Sequence, residues 1–331
     1  MNHQVEIRRY RRLFKQPFQT AHGLRREREG FLIRITDQEG QSGYGEVAPI
    51  PWIGSETLEE AEEFLNALSG KGLRSGLGAI SELPACRFGV DSAMAAFRED
   101  SVELPRRKVA VAGLLPAGEA ALESLPGQIE GGFTTFKWKI GVGRLKVEQE
   151  IFRKLKAAAP NKIRFRLDAN GGLSLEETID WLEFLDENEA EFLEQPMAPS
   201  EFNEMNRLLE RFRTPIALDE SVGNARQFEA AHNRGWRGLY VVKPAVFGAL
   251  REGVALLPAL RPRLIFSSAF ETSIGFEANL RWASRWQPED RAAGFGTGGF
   301  IEEDGFFRHP HLPALIPGLV DLKKIWENPD G

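Results

Sequence analysis

Cysteine is almost missing from this sequence: Cys86 is its one thiol in 331 residues, which excludes an intramolecular disulfide and a thiolate zinc cluster. Long apolar runs are missing too. Nowhere do 18 apolar residues follow one another, and the opening MNHQVEIRRYRRLFKQPF is rich in arginine but has no apolar core, so neither a spanning helix nor a secretory leader is expected. Positive charge is not in excess, because 42 Lys+Arg stand against 48 Asp+Glu for a net charge of -6. No global field therefore draws the chain to nucleic acid or to an anionic membrane. Low-complexity tracts are absent. These absences lead to the expectation of a cytoplasmic protein whose partner is a small molecule, with no nucleic acid, no membrane and no obligate protein partner.

What is present is a globular composition, 42% hydrophobic, 27% charged and 10% aromatic, sufficient for a large core. At roughly 150 residues per domain the length suits two domains, or one α/β barrel with an appendage. From 109 onward short apolar runs alternate with amphipathic helical stretches such as 147–158 and 175–186. Strands are expected at 109–115, 133–140, 163–168, 192–194, 215–219, 238–243, 263–266 and 293–295. Alternating β and α units argue for a parallel sheet, and eight strands in so short a span suit a closed barrel. The first hundred residues read as antiparallel strands at 5–10, 31–36 and 42–47, then helical runs at 57–68 and 89–98. Arg8, Arg9, Arg11, Arg12 and Lys15 are expected on the solvated face of an edge strand. The Pro-rich segment 306–331 has no barrel rhythm and is expected to fold back on the first domain. The predicted architecture is a TIM-type (β/α)7β barrel, residues 106–304, with an α+β N-terminal capping domain, residues 1–105, completed by 305–331.

In such a barrel the chemistry lies at the C-terminal strand ends. Four successive runs end in charge: Asp168 in RFRLDAN, Glu194 in EFLEQP, Asp219 in PIALDES and Lys243 in LYVVKP, spaced by 26 (194 minus 168), 25 (219 minus 194) and 24 (243 minus 219) residues. That spacing predicts equal height around one rim. Three carboxylates so placed repel one another unless a cation sits among them, and ligation by oxygen alone favours Mg²⁺. On the run FTTFKWKIG, alternation puts Lys137 and Lys139 on one face and Phe136, Trp138 and Ile140 on the other. The apolar set must meet the outer helices, so both lysines point inward, where a neighbouring ammonium and a divalent cation are expected to lower a lysine pKa toward that of a general base. Arg166 shares the face of Asp168, either to clamp a substrate carboxylate or to pair with a ligand carboxylate. Ser267, Ser268, Gly296 and Thr297 end the last two runs with hydroxyls and open backbone N–H groups suited to an anion.

This constellation resembles the enolase superfamily over nearly the whole chain, from GYGEVAPIPWIG to the barrel. K-x-K, then D, E and D, then a lone Lys on successive strands resemble its muconate lactonizing subgroup. Within it FKWKIG, RLDANGG, EQP, LDES, VVKP and SSAFETSIG are most similar to the o-succinylbenzoate synthase family. The resemblance implies a Mg²⁺-dependent syn-dehydration of 2-succinyl-6-hydroxy-2,4-cyclohexadiene-1-carboxylate (SHCHC), with Mn²⁺ able to substitute. It implies that Asp168, Glu194 and Asp219 hold the metal, that Lys139 moves the proton, that Lys137 supports it, and that Lys243 lies over the opposite face of the ring. N-acylamino acid racemases and dipeptide epimerases share this machinery, although GFGTGGF at 294–300 lacks the Asp-x-Asp usual in the latter. A barrel that only binds would leave the catalytic set unexplained. The loops bearing His22 and Trp52 are expected to cover the open barrel top.

Overall fold

The computed structural model describes residues 3–20, 23–71, 80–97, 107–248, 256–297, 300–301, 311–318 and 320–327. Strands β1 (Gln4–Thr20), β2 (Gly23–Thr36) and β3 (Ser42–Val47) form an antiparallel sheet in that order. The 37–41 turn closes because the Asp37 carboxylate accepts from the backbone N–H of Glu39 and of Gln41 at 3.0 and 2.9 Å. The sheet is covered on both faces, so β2 buries consecutive residues instead of alternating with solvent. Phe31, Ile33 and Ile35 pack with the helices Leu58–Lys71 and Pro84–Met94. Leu32, on the other face, joins Tyr10, Ile274 and Trp326 toward the barrel. The β1 arginines are not simply solvated: Arg11 meets Glu27 across the ladder at 2.6 Å, Arg9 meets Glu29 at 3.5 Å, and Arg8 lies 4.3 Å over the Trp326 ring. Trp326 belongs to the helix Leu322–Glu327, which therefore packs on this first domain.

The expected strand at 109–115 is two elements. β4 (Val109–Ala110) pairs antiparallel with Ala314–Leu315 near the end of the chain, and β5 (Gly113–Leu115) enters the barrel. There it is followed by β6 (Thr135–Lys139), β7 (Arg164–Asp168), β8 (Phe192–Glu194), β9 (Ile216–Leu218), β10 (Leu239–Val242) and β11 (Leu264–Phe266), all parallel and hydrogen-bonded in sequence order. The eighth strand shrinks to two residues that close the ring, Ala293 bridging to Val111 and Gly294 to Ser267. Ala293 N–H donates to Ala110 at 2.7 Å and Gly294 N–H to Phe266 at 2.7 Å, so closure satisfies both edges of the sheet. Alternation sends Phe136 and Trp138 outward, fully buried against Phe152 and Phe165, while Phe192, Ala217, Leu239, Val241 and Ile265 fill a separate inner core. Outer helices start on local signals: Ser174 and Glu177 form a reciprocal capping box at Leu175–Asn188, an arrangement whose cap is typically worth about 1 kcal/mol. No helix among the described residues is long and apolar enough to cross a membrane.

Candidate active site

The lysine-bearing face of β6 and the carboxylates meet at the top of the barrel. Lys139 is the register partner of Asp168, which is the partner of Glu194. Beyond these the ring climbs. Glu194 pairs with Ala217, two residues before Asp219, and Tyr240, three before Lys243, pairs with Leu218. Asp219 and Lys243 thus rise in steps of two residues, which corrects the expectation of equal height. An even step keeps each side chain on the inward face, and stagger of this kind is what a tilted barrel requires.

The two lysines of K-x-K have separate surroundings. Lys137 Nζ stands 2.7 Å from Asp168 Oδ2 and 2.8 Å from Glu194 Oε1, and Lys243 Nζ grips both oxygens of Asp219 at 2.5 and 2.6 Å. Burial by itself would lower both ammoniums, but Asp168 and Glu194 around Lys137, and Asp219 and Glu220 around Lys243, outweigh it and raise them. The nearest neighbours of Lys137 among the side chains are thus anions, whereas the expected lowering of a lysine depends on a divalent cation beside it. Asp168 is also subject to burial, yet Lys137 and the Asn170 N–H at 3.0 Å draw its carboxyl below the ordinary value. Glu194 moves the other way. Its burial, reinforced by Asp168 and Asp219 against Lys137, pushes it up to about 8.

The donor set suits a hard divalent cation for a reason visible in that rise: buried negative charge exceeds what the lysines neutralise. Glu220 adds to the excess, pushed up to about 7 by burial and by Asp219, with one carboxylate oxygen buried and without a hydrogen-bond partner and the other accepting from Asn170 at 3.2 Å. Among the described residues no three His, Cys, Asp or Glu side chains converge as a ready-made metal cage. Lys137 meets one oxygen each of Asp168 and Glu194, whereas Lys243 meets both oxygens of Asp219.

A cavity of about 430 Å³ opens over this cluster, lined by Lys139, Asp168, Asp219 and Lys243 from the barrel and by Phe14 and Trp52 from the first domain. Ser267, Ser268 and Thr297 also line it, joined by the contact of 3.1 Å between the Thr297 and Ser268 hydroxyls. Two expected substrate residues are elsewhere. Arg166, almost fully buried, points inward one layer below Asp168 and is committed to Glu191 at 2.7 Å and the Ala292 carbonyl at 2.8 Å, which corrects both expected alternatives: it neither lines the cavity as a substrate clamp nor pairs with Asp168, Glu194 or Asp219. Gly296 is pressed on the backbone, where a Cβ would lie 2.5 Å from the Ala112 carbonyl oxygen. Of the expected cover, Trp52 does face the cavity, whereas His22 lies outside the described residues.

Sequence reading missed Glu220 and a second buried acid. Glu46 on β3 reaches the start of the barrel helix Ser273–Trp286: its Oε2 accepts from the N–H of Thr272 at 2.8 Å and of Gly275 at 3.1 Å, and its Oε1 accepts from Tyr10 at 2.5 Å. Next to it Glu271 accepts from Ser268 Oγ at 2.6 Å, which couples this interdomain contact to the cavity wall. Burial pushes the Glu46 carboxyl up to about 7, against the lowering influence of Thr272, Tyr10 and Arg28, with Glu271 adding to the rise. A folded-state value above the unfolded one means that stability is fully present below the ordinary value of 4.5 and is lost as pH rises to about 7. Glu46→Gln is therefore expected to remove that part of the slope, so that its melting temperature gains on wild type between those limits, by at most about 3 kcal/mol of unfolding free energy. Parallel melting curves across that pH range would refute the assignment.

Comparison with known proteins gives the family of the chain. The family described as "Enolase C-terminal domain-like" matches residues 121–307, and the one described as "MenC, N-terminal domain" matches residues 3–97. The chain is 36% identical to an o-succinylbenzoate synthase of Thermosynechococcus vestitus over 97% of its length and 98% of that protein. It is 26% identical to that of Proteus mirabilis over 91% and 92%. The crystal structure of o-succinylbenzoate synthase from Thermosynechococcus elongatus, complexed with Mg in the active site, superposes with a TM-score of 0.82 at 35% identity, covering 98% of this chain and 99% of that one. A dipeptide epimerase from Enterococcus faecalis reaches a TM-score of 0.83 at 22% identity, over 96% and 98%, a likeness of fold alone.

Proposed function

The chain belongs to the o-succinylbenzoate synthases of the enolase superfamily, and from that membership we propose that it dehydrates SHCHC to o-succinylbenzoate, for menaquinone or phylloquinone synthesis, with Lys139 as the single proton carrier. The observation that carries the residue assignment is the division of cations: Lys139 on β6 beside Asp168, and Lys243 beyond β10 beside Asp219, line one cavity from different sides of the barrel.

Asp168, Glu194 and Asp219 would hold Mg²⁺, or Mn²⁺ in its place. The bound ion supplies positive charge that makes the carbon acid next to the substrate carboxylate more acidic. Lys139 Nζ takes that proton as the C–H bond breaks. The same ammonium then gives it to the hydroxyl on the same face as the C–O bond breaks, so water leaves and the ring becomes aromatic. Lys137 fixes Asp168 and Glu194 and contributes positive potential beside Lys139. Lys243 presents its charge to the opposite face of the ring, and Ser267, Ser268 and Thr297 offer hydroxyls to the substrate. Phe14 and Trp52 keep water from the reacting carbon.

The test is an absorbance assay of wild-type protein with SHCHC and Mg²⁺, in which an aromatic product is expected and its absence overturns the proposal. Variants at Lys243 extend it. An epimerase needs a proton carrier on each face, whereas this dehydration needs a charge there. Lys243→Ala is expected to lose about thirtyfold or more in rate, the equivalent of about 2 kcal/mol for a desolvated cation facing a ring. Lys243→Arg, which keeps a cation but cannot act as a base near neutral pH, is expected to retain more activity than the alanine variant. If arginine is as inactive as alanine while substrate still binds, Lys243 acts as a proton carrier.

A further inference from the structure

Gln195 follows Glu194 at the end of β8 and takes no step in the reaction, yet its conformation is exacting. It is fully buried, and its φ of +33° lies in the left-handed region that favours glycine. Its N–H extends the ladder from β8 to the Ala217 carbonyl on β9 at 2.8 Å. The left-handed turn, and then Pro196, which has no N–H, take the backbone out of the sheet toward the loop after Asp168. There the Gln195 carbonyl accepts from the Gly171 N–H at 2.6 Å and the Pro196 carbonyl from the Leu173 N–H at 3.0 Å.

The side chain turns back the other way, to β9. Its Oε1 accepts from the N–H of Asp219 at 2.9 Å and from that of Ser221 at 3.1 Å, while its Nε2 donates to Ser221 Oγ at 2.7 Å and to the Met197 carbonyl at 2.8 Å. Both ends of the amide are occupied, which fixes its orientation. Asp219 lies two residues beyond Ala217, so the amide oxygen takes the place of the next ladder acceptor after the β8 backbone has left the sheet. This matters for the site because an aspartate carboxylate moves only about χ1 and χ2, and its place therefore follows its backbone. A turn alone would be served by glycine; what glutamine adds is the hold on 219–221. Gln195 thus joins the strand ends that carry Asp168, Glu194 and Asp219.

We propose that Gln195 is a positioning residue for the metal site, its side-chain amide standing in for a ladder residue so that Asp219 is held where a divalent cation can use it. The inference rests on the metal assignment above and deepens it. Its test is a calorimetric Mg²⁺ titration of the full-length protein as wild type, Gln195→Met, Gln195→Gly and Ser221→Ala. Methionine keeps the bulk and the left-handed φ, glycine relieves that φ, and both remove the amide. Both are expected to bind Mg²⁺ about 10- to 100-fold more weakly, the usual cost of losing a group that orients a ligand, at unchanged stoichiometry. Turnover of SHCHC lost at low Mg²⁺ should return toward the wild-type rate at saturating Mg²⁺. Ser221→Ala removes a single contact of the amide and should weaken Mg²⁺ by about two- to tenfold, the range of one neutral hydrogen bond. Wild-type affinity in either Gln195 variant overturns the proposal, as does a fall in stoichiometry at wild-type affinity, which would make Gln195 a residue of the fold alone. If neither Gln195 variant folds, Ser221→Ala decides: unchanged Mg²⁺ affinity there overturns the proposal. A wild type that takes up no Mg²⁺ would overturn the metal assignment itself, a separate result because the variants are read against a wild type that binds.

Discussion

Lys139→Ala is expected to lower kcat for SHCHC by at least about a thousandfold, within the range that a positioned general base contributes and at its upper part because the same nitrogen serves two transfers. Among the described residues the other lysines and the hydroxyls of the cavity offer no replacement. Lys137, two residues earlier on the same strand, is bound by Asp168 and Glu194 and raised by them, so at neutral pH it has no lone pair to give. Lys243 is raised by Asp219 and Glu220 and stands at the end of β10, four strands away from β6. The Ser267, Ser268 and Thr297 hydroxyls are too weakly basic to accept a carbon-bound proton. The loss should therefore fall on kcat, with affinity for o-succinylbenzoate largely kept and circular dichroism unchanged. Turnover by Lys139→Ala near the wild-type rate would sink both the one-base mechanism and its residue assignment.

The legible parts of this molecule are those where a single strand carries its own pattern. In TFKWK the apolar residues had to go outward to the helices, and the burial of Phe136 and Trp138 at 0% follows from that alternation without knowledge of any neighbour. The carboxylates were legible for a similar reason, since each ends an apolar run at a spacing set by one βα unit. Features that depend on pairing between distant segments were not. The height of Asp219 is set by its register with β8, which no residue near 219 encodes. Arg166 was correctly placed on the inward face, but its commitment to Glu191 depends on side chains meeting beneath the site. Gly296 looked like part of an anion-binding turn, whereas its lack of a side chain serves the close approach of Ala112. Glu46 is a further case: within GYGEVAP it carries no local signal, and its contacts with Thr272 and Gly275 exist because the first domain docks on the barrel.

Chelation should abolish turnover, and Asp219→Asn should weaken Mg²⁺ by more than about 100-fold, since loss even of a residue that only supports a ligand commonly costs 10- to 100-fold. The charge balance of the site explains why a neutral isostere is so damaging. Asp168, Glu194, Asp219 and Glu220 form a buried acidic group countered by Lys137 and Lys243. The substitution would remove one negative charge from the place where Lys243 makes its two short contacts, and with it the interaction that raises this lysine. An amide oxygen keeps the shape of the donor but not its charge, and a hard dication binds charge first. The fold should tolerate the change, because the Asp219 N–H that donates to Gln195 Oε1 at 2.9 Å belongs to the backbone and remains in the variant. Calorimetric Mg²⁺ titration with circular dichroism as the control separates the two effects. Unaltered affinity in Asp219→Asn, or full turnover in excess chelator, would remove Asp219 from the metal site and the metal from the reaction.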